Sequence, residues 1–162
     1  EALNVAYGEE EKRGTIRFYG TALLLTLAAI LGALLAIGSV VALPVVIKFL
    51  GLGKLLEGVI AFGRWPILAL ILMLGLAVMY RFGPSRAEPR WAWVSWGAFV
   101  ATVLWVIASA LFSLYVTRFG NYNETYGAMG AIVILLTWFL LSAYAILIGA
   151  EIDAEMEAAP NR

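Results

Sequence analysis

Four long runs without a charged side chain constrain this chain more than any other feature of its sequence. They occupy residues 18–47, 65–80, 91–117 and 125–150. A helix of about 20 residues crosses the ~30 Å hydrocarbon core of a bilayer, so the first, third and fourth runs are long enough to span it. The second run reaches only about 24 Å at 1.5 Å per residue, and the flanking Arg64 and Arg81 can extend towards the interface. The runs predict an all-α, polytopic transmembrane helix bundle.

We expect four spanning helices, at about residues 20–47, 65–80, 91–117 and 125–150. Between the first two, residues 51–63 place leucine, valine and isoleucine at helical spacing opposite Lys54 and Glu57. This pattern predicts a short amphipathic helix in the interface or, equally, a cap packed over the bundle. The chain therefore divides into a polar segment (1–17), the bundle (18–150) and a solvated tail (151–162).

The composition excludes several classes of function. The chain is 63% hydrophobic, and its 11 Lys and Arg balance its 11 Asp and Glu, so no basic field is available to bind nucleic acid. Cysteine and histidine are both absent, which removes disulfides, thiolate metal sites and histidine-based catalysis. We expect no catalytic residues, no metal site and no cofactor, and therefore no enzyme.

The distribution of Lys and Arg between the short loops predicts the orientation. If the first residue lies inside, seven basic residues occupy the inner segments and four occupy the outer ones, Lys48, Lys54, Arg64 and Arg118. An excess of Lys and Arg marks the cytoplasmic side. We therefore expect a multi-pass protein of the bacterial inner membrane with both ends of this chain in the cytoplasm.

A short polar segment at residues 121–127, which we term the polar knot although the chain is not knotted, lies between the third and fourth runs. With the orientation above it faces the opposite side of the membrane. Its candidate recognition residues carry amide, hydroxyl and carboxylate groups: Asn121, Tyr122, Asn123, Glu124 and Tyr126. Such groups can cap the start of the last helix and lock a tight corner. The same groups can recognise a lipid headgroup or a protein partner.

Small and polar residues also recur along the last two runs, where they define a candidate helix seam. The members of this seam are Ser109, Ser113, Gly127, Gly130, Thr137, Trp138, Ser142, Tyr144 and Glu151. Membrane helices use small and hydroxyl residues to approach closely and to hydrogen-bond to each other. The pattern therefore predicts either a packing seam between two helices or a face that lines the path of a substrate.

Several segments together resemble one family of bacterial inner-membrane proteins. They are ALNVAYGEEEKRG at 2–14, YRFGPSR at 80–86, GAFVATVLWVIASALFSLYV at 97–116, YNETYG at 122–127 and LLTWFLLSAYAILIGAE at 135–151. In order and spacing they are similar to the YihY/BrkB family, whose members were once labelled ribonuclease BN and include virulence factors. The resemblance implies six spanning helices with both ends cytoplasmic. Two helices would then precede this chain, and faces that pack on them would be open or covered by another chain.

Two classes of function fit these observations. No ionisable residue lies in the middle of a run, which disfavours proton pumps and ion-coupled transporters. We expect a carrier or conduit for a lipid or another amphipathic envelope component, with membrane lipids as its partners. The alternative is a non-transporting subunit that anchors an envelope complex as a homo-oligomer or with an envelope protein. A closed seam between the last two helices favours the subunit, and a groove open to lipid favours the carrier.

Overall fold

The structure of the chain, a computed structural model, describes residues 1–50, 54–85, 91–118 and 122–158. Within these ranges it contains helices and no strand. In chain order the helices are α1 (Ala2–Ala6), α2 (Thr15–Leu50), α3 (Lys54–Phe82), α4 (Trp91–Arg118) and α5 (Tyr122–Ala158). The all-α prediction is confirmed.

Each of the four long helices contains a stretch that is long and apolar enough to cross a membrane. These stretches are Thr15–Ala42, Gly58–Phe82, Trp96–Arg118 and Ala128–Ala158. The prediction of four spanning helices is therefore confirmed. The exposed leucines of α2 agree with it, because Leu24, Leu31 and Leu35 would face water in a soluble protein, whereas a membrane covers them with lipid or with other helices.

The helix boundaries differ from the predicted ones in two places. The expected amphipathic helix at 51–63 is not a separate element, because α3 runs without a break from Lys54 to Phe82 and includes Pro66. A proline removes one helical hydrogen bond, but α3 continues through it. At the other end of the chain, α5 continues to Ala158, so most of the expected solvated tail is helical.

The helices pack in chain order, α2 on α3, α3 on α4 and α4 on α5, and α1 folds back onto α5. The pair α4 and α5 makes the most extensive contact in the described chain. Buried residues concentrate where α1, α3, α4 and α5 meet, and they are mostly small: Ala6, Leu76, Ala77, Tyr80, Ala98, Ala101 and Ala150. Small side chains let the helix backbones approach closely. The N-terminal segment and the last turns of α5 therefore lie at the same end of the bundle.

Candidate functional site

A polar junction lies at this end of the bundle, formed by Tyr7 after α1, Tyr80 on α3 and Asp153 on α5. Both Tyr80 and Asp153 are 0% exposed. The hydroxyl of Tyr7 donates to Oδ2 of Asp153 at 2.7 Å, and the hydroxyl of Tyr80 donates to the carbonyl of Ile146 at 2.5 Å. Because buried polar groups are costly unless hydrogen-bonded, these bonds fix how α1, α3 and α5 meet.

Two glycines allow α4 and α5 to approach this junction closely. A Cβ atom on Gly149 would lie 2.5 Å from Cβ of Ala101 and 2.7 Å from the hydroxyl of Tyr80. A Cβ atom on Gly97 would lie 2.5 Å from the carbonyl oxygen of Gly149. These contacts are shorter than any side chain tolerates, so the junction requires glycine at both positions.

A second set of polar contacts, which we term the N-terminal clamp, joins Asn4, Glu11 and Arg13 to the segment after α3. Arg13 donates to Glu11 through Nε at 2.8 Å and to the carbonyl of Gly83 through Nη2 at 2.7 Å. Asn4 donates to Glu11 at 2.9 Å and accepts from the backbone N–H of Ser85 at 2.8 Å. The hydrogen bonds from Arg13 are the main cause that lowers the pKa of Glu11 to about 2.

The seam between α4 and α5 is closed by two tryptophans that each reach a serine on the opposite helix. Nε1 of Trp105 donates to Oγ of Ser142 at 2.9 Å, and Nε1 of Trp138 donates to Oγ of Ser109 at 3.4 Å. The two indole rings meet edge to face, with centroids 5.7 Å apart. The polar atoms of this seam are therefore used in contacts between the helices and do not line a path between them.

The structure places the members of the predicted seam on different sides of the helices. Ser109, Trp138 and Ser142 lie between α4 and α5, and Gly130 is buried. The remaining described members point away from the seam or use their own helix. Ser113, Tyr144 and Glu151 are exposed, and the hydroxyl of Thr137 donates to the carbonyl of Val133 one turn earlier.

The predicted recognition knot falls outside the part of the chain whose side chains the structure describes. Helix α5 begins at Tyr122, which includes most of the knot in its first turns. The structure does not describe Asn121. It describes only the backbone of the other predicted residues in this segment, which are Tyr122, Asn123, Glu124, Tyr126 and Gly127. The recognition role of the knot stays a prediction.

Sequence reasoning missed the residues that form the polar junction. Asp153 falls within the predicted solvated tail, and Tyr80 only marks the end of the second charge-free run. Asp153 lies four residues after Gly149 and so falls on the same face of α5, but this spacing indicates a buried position only once the close contact of Gly149 with α4 is known. Among the described residues, no group of three or more Asp, Glu, His or Cys side chains is arranged to hold a metal ion.

Comparisons with known proteins agree on one family. Its sequence model, described as Virulence factor BrkB, matches residues 1–162. A ribonuclease-like protein of Bacillus subtilis, YfkH, is 37% identical over 161 residues, which cover 94% of this chain and 57% of that protein. A UPF0761 membrane protein of Idiomarina loihiensis is 33% identical over 62% of this chain and 35% of its own length. A UPF0761 membrane protein of Alteromonas mediterranea is 39% identical over 56% of this chain and 31% of its own length.

The matches thus cover little more than half of the Bacillus relative and about a third of the two UPF0761 proteins. No solved structure matches it. The four spanning helices agree with the membrane location that the UPF0761 names state. This chain is a multi-pass helical membrane protein and belongs to the virulence factor BrkB family.

Proposed function

We propose that this chain is part of an inner-membrane carrier or conduit for a lipid or another amphipathic envelope component. The observation that carries the proposal is the outer face of α5, where the half-buried Thr137 and the exposed Tyr144 and Glu151 follow each other at seven-residue spacing. Tyr144 is 59% exposed, and its hydroxyl has no hydrogen-bond partner in the described chain. It lies about 10 Å along the axis from Glu151, within a ~30 Å hydrocarbon core that begins near that residue.

An exposed phenol at this depth points to a polar ligand. Lipid tails offer no acceptor to its O–H group, and an unpaired polar group in hydrocarbon is costly. An amphipathic molecule could place its headgroup on the row of Thr137, Tyr144 and Glu151 while its tails remain in the bilayer. The ligand would move along this outer face of α5 and not between α4 and α5, because the Trp105–Ser142 and Trp138–Ser109 contacts close the seam between those helices.

The orientation belongs to the same proposal. The contact of Tyr7 with Asp153 brings the N-terminal segment and the last turns of α5 to one side of the bundle. The excess of Lys and Arg in the segments on that side favours the cytoplasm for both ends. The outer-face route would then open towards the cytoplasm near Glu151.

A non-transporting subunit is the second candidate, and the closed seam between α4 and α5 favours it. In that case the phenol of Tyr144 would meet a helix of another protein or of a second copy of this chain. Catalysis is not part of either candidate. The whole chain lacks histidine, Glu11 is held by Arg13, and Asp153 accepts from Tyr7.

The test uses Tyr144→Phe in the full-length protein, with Tyr19→Phe as its matched control. Tyr19 is also exposed, at 66%, but it lies near the start of α2, where water can serve its hydroxyl. We expect Tyr144→Phe to slow the movement of a fluorescent phospholipid between leaflets of proteoliposomes several-fold at unchanged protein level and thermal stability. Tyr19→Phe should leave the rate unchanged.

Two other results would contradict the carrier proposal. If the wild-type protein moves no lipid, and Tyr144→Phe instead reduces the recovery of a co-purifying chain, the subunit replaces the carrier. Equal lipid movement in the wild type and in Tyr144→Phe would remove the outer face of α5 from the mechanism.

A further inference from the structure

Arg64 on α3 is a charged side chain for which the described residues supply too few hydrogen-bond acceptors. Its Nε atom is buried, yet it has no hydrogen-bond partner, and none of the described carboxylates forms an ion pair with Arg64. Its only described polar contact is with the ring of Trp65, whose centroid lies 5.4 Å from the guanidinium carbon. A guanidinium group has five N–H donors, and a buried donor without an acceptor is costly. Among the described residues the site therefore lacks an anionic acceptor.

The position of Arg64 indicates where that acceptor comes from. Arg64 lies about 24 Å along the axis of α3 from the buried Tyr80 at 1.5 Å per residue. The polar junction and Arg64 are thus separated by nearly the thickness of a ~30 Å hydrocarbon core. Two neighbouring aromatic side chains, Phe62 and Trp65, are exposed at 79% and 63%. Exposed aromatic rings beside an arginine are typical of the boundary between hydrocarbon and headgroups.

We infer that Arg64 binds the phosphate of a phospholipid headgroup at the membrane boundary opposite the N-terminal clamp. The planar fork of an arginine matches two oxygens of a phosphate, and the ring of Trp65 supports the cation from its other side. Pro66 adds to the polarity of the site, because it has no N–H to donate to the carbonyl of Phe62 one turn earlier. The site does not depend on the proposed carrier function, since a bound lipid can be structural as well as transported.

The test measures lipid retention by native mass spectrometry of the full-length protein in mild detergent. The probes are phosphatidylglycerol, diacylglycerol without a phosphate, and inorganic phosphate. Arg64→Gln should lower the apparent affinity for phosphatidylglycerol by roughly tenfold or more, because the charge-assisted hydrogen bonds to the phosphate are lost. Arg118→Gln is the matched control, since Arg118 lies at the same end of the bundle but is exposed.

Three results would overturn the assignment. They are unchanged retention of phosphatidylglycerol by Arg64→Gln, equal retention of diacylglycerol by the wild type, and displacement of the lipid by inorganic phosphate at equal concentration. The last result would identify a free-phosphate site instead.

A second measurement on the unmodified protein covers the case in which Arg64→Gln does not fold. Phosphatidylglycerol with a photoreactive headgroup should label the segment from 58 to 68. Labelling confined to other segments would also overturn the assignment.

Discussion

The two faces of α5 carry similar residue types and have opposite surroundings. On the inner face, Ser142 meets Trp105 of α4, and Asp153 meets Tyr7 of the N-terminal segment. On the outer face, Tyr144 and Glu151 are exposed, although each lies two residues from an inner-face residue. Each residue turns the helix by about 100°, so two positions move a side chain from the packed face to the open one. Polarity alone therefore does not distinguish a residue that holds the fold from one that is available to a ligand.

This difference leads us to expect separable effects of mutation. Substitutions on the inner face should lower stability, because each removes a contact between helices. Substitutions on the outer face should leave stability unchanged and alter only the interactions with lipid or a partner.

Gly149→Val should have the largest effect on stability. The new Cβ atom would overlap Ala101 and the hydroxyl of Tyr80, and the backbone of α4 would have to move. Overpacking typically costs about 1–3 kcal/mol, and a branched side chain against backbone should reach or exceed the upper value. Thermal unfolding of the purified protein in detergent measures the loss.

Gly75→Val is the control, because a Cβ atom on Gly75 meets nothing within 4 Å. Equal losses for Gly149→Val and Gly75→Val would show that the close approach of α4 and α5 at the junction is not required.

Asp153→Ala should have the next largest effect and Glu151→Ala almost none. The first substitution removes the acceptor of Tyr7 in a buried site, and removing one partner of a buried hydrogen bond typically costs about 1–3 kcal/mol. Glu151 is exposed, and such surface substitutions usually stay within about 0.5 kcal/mol. Thermal unfolding of the two variants measures this difference.

Asp153→Ala should also release the N-terminal segment, which hydrogen exchange of residues 2–7 would detect as lost protection. A larger loss for Glu151→Ala than for Asp153→Ala would reverse our assignment of the two faces.

The sequence predicts the fold more completely than it predicts the candidate site. Four charge-free runs suffice to predict four spanning helices, because a bilayer leaves few other ways to satisfy the backbone. The rotation of each helix about its axis decides which side chains are buried, and the charge-free runs do not specify it. Nothing in the local sequence distinguishes Asp153, which is buried under Tyr7, from Glu151, which is exposed, until the position of α1 is known. The polar junction therefore could not be predicted from periodicity along α5 alone.

The length of α3 also could not be predicted from the local sequence. Gly63 and Pro66 suggest a break between an interfacial helix and a short span, and the structure has one helix from Lys54 to Phe82. Local propensity favours the break. The helix nevertheless continues through both residues, because tertiary context routinely overrides local helix propensity.

Ser142→Ala should have the smallest effect among these inner-face substitutions. It removes the acceptor of Trp105 within the seam, and hydrogen bonds between membrane helices average about 0.6 kcal/mol with a maximum near 1.7 kcal/mol. Ser113→Ala is the matched control, because Ser113 is exposed on α4 and lies outside the two tryptophan–serine contacts. Thermal unfolding should therefore show a small loss for Ser142→Ala and none for Ser113→Ala. If Ser142→Ala keeps full stability but slows lipid movement, the seam is a path for the ligand, and the distinction between the two faces of α5 fails.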